Sequence, residues 1–459
     1  MGQGDVQILG YNRGTMTALI IALLSALADD TVNWPSFRGA GAGGVATATP
    51  PTTWNADPKT GPDRNIRWKT AIPGLSHAGP VVWGDRVFVA TAVRTDGEAP
   101  LKVGLYGSGD SAVDDTEQRW AVTALDKKTG KVLWEKTARQ GTPRARRHPK
   151  ATHANTTLVT EGTRVIAFFG SEGLYAYDFQ GDLLWKKDLG VFDSGPHGTE
   201  LQWGHASSPV LWDDKLFLQC DQKKGSFLAC LSLQDGKEIW RADREGVCRQ
   251  SWATPTVIAA AGRTQVVCNG FPFISSYDVS TGKELWRLKS GGDIPVPAPV
   301  FAHGLIYVTN AHGGQAPLYA IRPESTGDLS LRDGQTSNDG VAWSEPRNGA
   351  YMQTPLVWED LVYSCSDGGV LKVYAAKTGR LEYTQRLDSR RIGFTSSPVA
   401  AGGRIYFASE EGEVHVLQTG PKFVLLASNK LGDITLSSPA ISENVLYFRT
   451  RRHVVAVGE

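Results

Sequence analysis

The chain has 459 residues, a formal net charge of +1 and 21% charged residues, with 51 glycines, 24 prolines and 14 tryptophans. So balanced a charge offers no global attraction to nucleic acid or to an acidic membrane surface, and neither is expected as a partner. The length would allow two or three domains, but a repeat claims nearly all of it as one, and the Gly, Pro and Trp content suits turn-rich β structure.

At the N-terminus, Thr17 to Ala28 is an apolar run ending in Ala26-x-Ala28 and followed by Asp29-Asp30. Its length and small-residue cleavage site predict a secretory signal peptide over residues 1–28, with Met16 as a possible alternative start. A run of about 12 residues falls short of the ~20 needed to span a bilayer, so no membrane span is expected after cleavage, and the mature chain is expected in the periplasm or outside the cell. Residues 29–64 then read as an N-terminal extension and 65–459 as the repeat domain.

The extension ends at an orphan strand, residues 65–70, which carries Trp68. Eight similar strand starts follow, at residues 79–82, 156–159, 208–210, 254–257, 298–300, 354–357, 397–399 and 438–440, most with Ser, Thr, Ala or Gly before Pro. A spacing of about 45 residues with occasional long insertions is the signature of a blade-like all-β repeat. Within repeats, a turn such as Asp278-Val279-Ser280-Thr281-Gly282 is followed four residues later by Trp286. The same interval joins Gly130 to Trp134, Gly181 to Trp185, Gly236 to Trp240 and, with tyrosine, Gly379 to Tyr383, whereas Gly340 precedes Trp343 by one residue fewer. Strand side chains alternate in direction, so an indole at a fixed offset from its turn always emerges on the same side of its sheet. The last start leaves room for only three strands, and the orphan strand supplies the fourth. The expected fold is therefore all-β: an eight-bladed β-propeller of four-stranded antiparallel blades, with the last blade closed by an N-terminal strand, monomeric.

The long insertions crowd over the first three blades, at residues 94–119, 139–152 and 191–204, all on one face of the ring. Long loops on a rigid scaffold are where binding resides. His77, His153 and His205 precede innermost strands of successive blades, and Trp252 takes a similar place before the fourth. Imidazoles converging there could bind a metal or an anion, or merely brace loop carbonyls. The candidate ligand contacts are His77, Arg147, His148, His153, Asn155, Trp203, His205 and Trp252. The basic run Arg144, Arg146, Arg147, His148, Lys150 has Asp114, Asp115 and Glu117 at hand as pairing partners. The five cysteines, Cys220, Cys230, Cys248, Cys268 and Cys365, sit mostly in apolar runs and read as buried small hydrophobes; Cys220 and Cys230 could bridge only if the hairpin register opposes them. No C-x-x-C pair, G-x-S-x-G elbow, H-E-x-x-H helix or P-loop occurs, so no catalytic residue and no metal ligand is assigned.

The stretch 124–134, Ala-Leu-Asp-Lys-Lys-Thr-Gly-Lys-Val-Leu-Trp, resembles the tryptophan-docking repeat of the quinoprotein-type, PQQ-like β-propeller family, and the likeness extends from about Trp34 to the C-terminus. Stretches 33–39, 147–155 and 168–175 are similar to exported bacterial PQQ-binding-like repeat proteins, which share their fold with the outer-membrane β-barrel assembly (BamB-like) lipoprotein. For quinoprotein dehydrogenases the resemblance implies PQQ with calcium, an adjacent Cys-Cys disulfide and Glu, Asn and Asp ligands. This chain has no adjacent cysteines and no matching ligand positions, so no cofactor is expected, PQQ with calcium being the alternative. Its first cysteine is Cys220, which excludes the lipid anchor of the assembly lipoprotein. The expectation is an exported, non-catalytic propeller that binds a protein or small ligand on the face carrying the long loops of blades one to three. The alternatives are a PQQ- or metal-dependent oxidoreductase and an envelope assembly factor.

Overall fold

In a computed structural model that describes residues 32–105, 109–196 and 198–459, eight sheets are arranged as blades. The signal peptide expected over residues 1–28 lies outside the described residues. Blade one consists of Val81–Trp83, Arg86–Arg94, Gln118–Asp126 and Val132–Gly141, paired in that order. Its middle strands are buried on both faces, as β-branched and aromatic runs such as Val87-Phe88-Val89 dictate, while the outermost strand alternates between exposed and half-buried residues. The remaining blades repeat the pattern, and the register within each is antiparallel.

Blade eight has only Ala440–Ser442, Val445–Arg449 and His453–Val457 from the C-terminus. Its fourth strand is Ile66–Ala71, antiparallel to His453–Val457, with Trp68 opposite Ala456. The ring thus closes by hydrogen bonds between the two ends of the propeller sequence, and no sheet edge faces the gap between first and last blades.

Recurring indoles lock each blade to the next. The Nε1–H of Trp68 donates to the Lys127 carbonyl at 2.9 Å, Trp134 to Phe179 at 2.9 Å, Trp185 to Leu233 at 3.1 Å, Trp240 to Val279 at 3.0 Å and Trp343 to Ala376 at 2.8 Å. The acceptor is always in the outer hairpin turn of the following blade. The turn glycine has two reasons to be glycine: Gly130 sits at φ 71°, and a Cβ there would come within 2.5 Å of the Trp68 ring. Trp286 departs from the rule. The insertion in blade five places Gly327–Asp328 parallel to the Trp286 strand, and its Nε1–H turns instead to Gln265 Oε1 at 3.0 Å in its own blade.

A second repeat feature, invisible as a motif, lies at the strand starts. Thr157 Oγ1 accepts the Gly79 amide at 3.0 Å, Ser208 Oγ the Thr157 amide at 2.9 Å, and Thr254 Oγ1 the Ser208 amide at 3.0 Å. On the other side, Thr354 Oγ1 accepts the Ala298 amide, Ser397 Oγ the Thr354 amide and Ser438 Oγ the Ser397 amide, each at 3.0 Å. Each blade's first hydroxyl satisfies an amide of the blade before it. The belt breaks into two arcs because Gly79 and Ala298 have no hydroxyl to continue it.

The N-terminal extension closes one end of the channel. Trp34 exchanges backbone bonds with Val82 of blade one, and the Thr160 amide of blade two donates to the Pro35 carbonyl. The Arg38 guanidinium, 1% exposed, donates to the Thr354 and Pro355 carbonyls of blade six as well as to Ala42 and Gly43. Val45–Ala46 then pairs parallel with the innermost strand of blade seven. Residues 34–46 therefore cross the axis from innermost strand to innermost strand. The channel is a cup and not a pore.

All five cysteines are buried and free. Cys220 lies opposite Phe227 and Cys230 opposite Phe217, so the register does not oppose the two thiols, and they pack into the cores on opposite sides of their sheet.

Candidate functional site

The cup holds a cavity of about 510 Å³ at the mouth of the axis. Phe37 of the extension and the hydroxyls of Thr157, Ser208, Thr254, Thr354, Ser397 and Ser438 line it. In the belt each hydroxyl oxygen accepts an amide, a contact that does not consume the hydroxyl's own hydrogen. The floor of the cup is therefore two arcs of O–H groups with the Phe37 side chain beside them.

The three insertions are knitted into one layer over blades one to three. The Ala112 amide donates to the Arg147 carbonyl at 2.7 Å, the His148 amide to Trp203 at 3.1 Å, and the Ser111 hydroxyl to the Gln202 carbonyl at 2.8 Å. Leu105, Leu201 and Trp203 of this layer build one apolar wall together with Trp252, which precedes the innermost strand of blade four. The two indoles lie 5.6 Å apart, their Nε1–H groups held by the Gly109 and Gly204 carbonyls, and His148 meets Trp203 edge-on at 5.1 Å. Both indole faces are thereby fixed before any ligand arrives.

Of the residues singled out from sequence, His77, His148, Asn155, Trp203 and Trp252 line the cavity; Arg147, His153 and His205 do not. Arg147 is 1% exposed and ion-paired with Asp114 at 2.9 Å, with further bonds to the Ala151 and Pro100 carbonyls. The His153 Nε2 lies 3.4 Å from the same carboxylate. Burial alone would raise the Asp114 carboxyl, but the close approach of His153 and the charge and hydrogen bond of Arg147 outweigh it and hold it at about 2. His205 is enclosed by Phe168 and Phe192 and donates to the Ser207 carbonyl. The three imidazoles preceding the innermost strands therefore do not converge. An acid in one insertion and a pair of phenyl rings claim two of them.

His77 does reach the cavity. Its Nε2–H donates to the Lys150 carbonyl at 2.8 Å, and burial, only partly offset by that bond, pulls its pKa down to about 4. At neutral pH it is an uncharged hydrogen-bonding group. Lys150 Nζ crosses to Glu410 of blade seven at 2.5 Å and also donates to the Gly104 carbonyl. Glu410, 1% exposed, additionally accepts from the Gly104 amide and the Thr395 hydroxyl, which ties the insertion layer to the far side of the ring.

Opposite the indoles, His312, Tyr351, Met352 and Asp367 complete the wall, and sequence reasoning had selected none of them. The His312 Nδ1–H donates to Asp293 Oδ1 at 2.6 Å, and its ring lies 5.2 Å from that of Tyr351. A sequence signal existed for two of these groups: Asp293 and Tyr351 shortly precede the innermost strands of blades five and six, as His77 does in blade one, whereas His312 lies in the loop between the second and third strands of blade five.

A family model described as "Outer membrane protein assembly factor BamB" matches residues 38–229, 223–329 and 327–457. Among curated proteins, the chain is 23% identical over 370 residues to tetrathionate hydrolase of Acidithiobacillus ferrooxidans, covering 76% of this chain and 66% of that protein. It is 25% identical over 285 residues to outer membrane protein assembly factor BamB of Burkholderia pseudomallei, covering 57% of this chain and 68% of that one. The chain thus spans about two thirds of the length of each. Among solved structures, quinohemoprotein alcohol dehydrogenase from Comamonas testosteroni superposes with a TM-score of 0.63 at 12% identity, over 95% of this chain and 82% of that chain. BamB from Moraxella catarrhalis does so with a TM-score of 0.54 at 16% identity, over 80% and 98%.

Proposed function

Since the chain belongs to the PQQ-like β-propeller family of outer membrane protein assembly factor BamB, we propose that it is an envelope protein that binds a small ligand in the mouth of the propeller. The observation that carries this reading is the cavity of about 510 Å³, within the size range of pockets for small organic ligands. Its fixed indole pair suits a flat apolar body, and its two arcs of hydroxyls suit an oxygen acceptor at the buried end. An export role is consistent with the signal-like N-terminus, and among the described residues no helix is long and apolar enough to cross a membrane.

The residues do not fit a quinone with its calcium. No cysteine lines the cavity, its cation Lys150 is committed to Glu410, and among the described residues the one group of metal-distance donors lies outside the cavity at blade seven.

The test is native mass spectrometry of the protein released from the envelope, beside a Leu201→Trp variant that fills the cavity. A bound small molecule in the wild type that is missing from the variant is expected. Equal occupancy of both, or none in either, removes the ligand-binding reading.

One contact favours a second, hydrolytic reading. With Nδ1–H committed to Asp293, His312 presents Nε2 as an acceptor able to take a proton from water. A relative of this chain is named for tetrathionate hydrolysis, so tetrathionate is the first substrate to try. Loss of tetrathionate followed by ion chromatography, abolished in His312→Gln, would establish this reading; no turnover by the wild type would dismiss it.

A further inference from the structure

Away from the cavity, blade seven carries a second group of donors. Glu413 and His415 stand two residues apart on the strand Glu413–Gln418 and so share one face of it. Asp388, in the loop leading from blade six into blade seven, meets them, and the donor atoms of the three side chains all lie within 4.8 Å of one another.

The imidazole is built in. His415 is 2% exposed, faces the Phe394 ring at 5.9 Å, and its Nδ1 is hydrogen-bonded to Ser428 Oγ at 2.9 Å on the neighbouring strand. That bond fixes the ring and aims Nε2 at the carboxylates. Nε2 is buried without a hydrogen-bond partner, and Asp388 Oδ2 is 3.6 Å away, beyond hydrogen-bond reach.

Among the described residues, the only arginine or lysine paired with the two acids is Arg390. Arg390 Nη2 contacts Asp388 Oδ2 at 2.5 Å and also pairs with Glu413, yet its side chain is 54% exposed and can swing into water. The guanidinium satisfies the two acids but leaves His415 Nε2 without a partner. A metal ion between the three groups satisfies all of them.

We propose that Asp388, Glu413 and His415 form a site for a divalent transition-metal ion of the zinc class, from which Arg390 is displaced. One imidazole nitrogen and two carboxylate oxygens suit such an ion, and three protein ligands leave a coordination position open to solvent. Ser428 acts behind the ligand by orienting the ring. All-oxygen cations such as calcium gain nothing from the imidazole.

Titration calorimetry of the tag-free mature chain with zinc chloride tests the site, with calcium chloride as the control. One equivalent of zinc is expected to bind, and calcium is not. His415→Gln and Glu413→Gln are expected to weaken zinc binding at least tenfold, and Ser428→Ala about tenfold. Arg390→Ala is expected to bind zinc more tightly than wild type, because the competing cation is gone. A merely structural ion-pair cluster would not produce that opposite sign. Should His415→Gln disturb folding, Glu413→Gln, whose side chain is nearer the surface, and Arg390→Ala still decide the matter by the shift in melting temperature that zinc produces. The site is overturned if neither wild type nor Arg390→Ala binds an equivalent of zinc. It is also overturned if Glu413→Gln binds as wild type does, or if Arg390→Ala binds no more tightly.

Discussion

Two buried histidines make this propeller sensitive to acid in a definite window. His77 and His205 are each drawn down to about 4 chiefly by burial, against an ordinary value near 6.5. A group whose folded pKa lies below its unfolded one binds protons preferentially in the unfolded chain between those values. Stability is therefore complete above about pH 6.5 and falls as the pH drops toward 4, by about 3 kcal/mol for each histidine. His415 and His453 shift in the same direction and add to the slope. Asp114, held at about 2, begins to lose its contribution only below the ordinary carboxylate value and so acts beneath this window. Urea unfolding between pH 7 and 4 should show the loss, and a His77→Gln, His205→Gln double variant should show a shallower dependence. An unchanged slope would mean that these imidazoles are not buried neutral. At this scale the sequence was least informative. The histidine positions were visible, but where each ring points is decided by partners far along the chain, such as Asp114 for His153, and no periodicity encodes such a pair.

Strands and turns were far more legible, because the same solution is used repeatedly. A turn glycine, an indole four residues on and a β-branched run are each weak signals, yet in register they specify one blade. The structure adds why the glycine and the indole belong together: the glycine of one blade is the seat for the indole of the blade before it. Gly130 and Gly84 separate the two demands placed on such a residue. Both have positive φ, at 71° and 57°, but a Cβ at Gly130 would strike Trp68 whereas at Gly84 it would meet nothing within 4 Å. Gly84→Ala should lose only the conformational term, about 1 kcal/mol. Gly130→Ala should lose that and an overpacking term of about 1–3 kcal/mol besides. Equal losses in chemical denaturation would show that the indole contact can relax. The hydroxyl belt was on view in the same way, as Ser or Thr before the strand start, but its meaning was hidden. Each hydroxyl bonds an amide in another blade, and only the ring geometry reveals the partner.

At the scale of the whole molecule, the closure of the ring followed from counting strands, while the plug at its base did not. Residues 34–46 have no repeat to match, and their partners are spread over innermost strands of blades one, two, six and seven. The N-terminal segment thus does two separable jobs: residues 34–46 close the cup, and Ile66–Ala71 close the ring. Arg38 is the pivot of the first. Its guanidinium is fully enclosed, and it holds four carbonyls, two in the plug and two in blade six. Replacing it by methionine keeps the volume but leaves those carbonyls buried without a donor, each costing about 1–3 kcal/mol. The plug should then loosen while the ring holds. Amide exchange should accelerate at Val82 and Ala400, whose amides donate to Trp34 and Gly44 of the plug, and remain slow at Thr70 and Ile72, which pair with the C-terminal strand where the ring closes. With Phe37 released from the floor, the cavity should also lose its grip on a ligand. If instead protection falls equally at Thr70 and Ala400, plug and closing strand unfold as one unit, and the base of the cup is part of the clasp that holds the ring together.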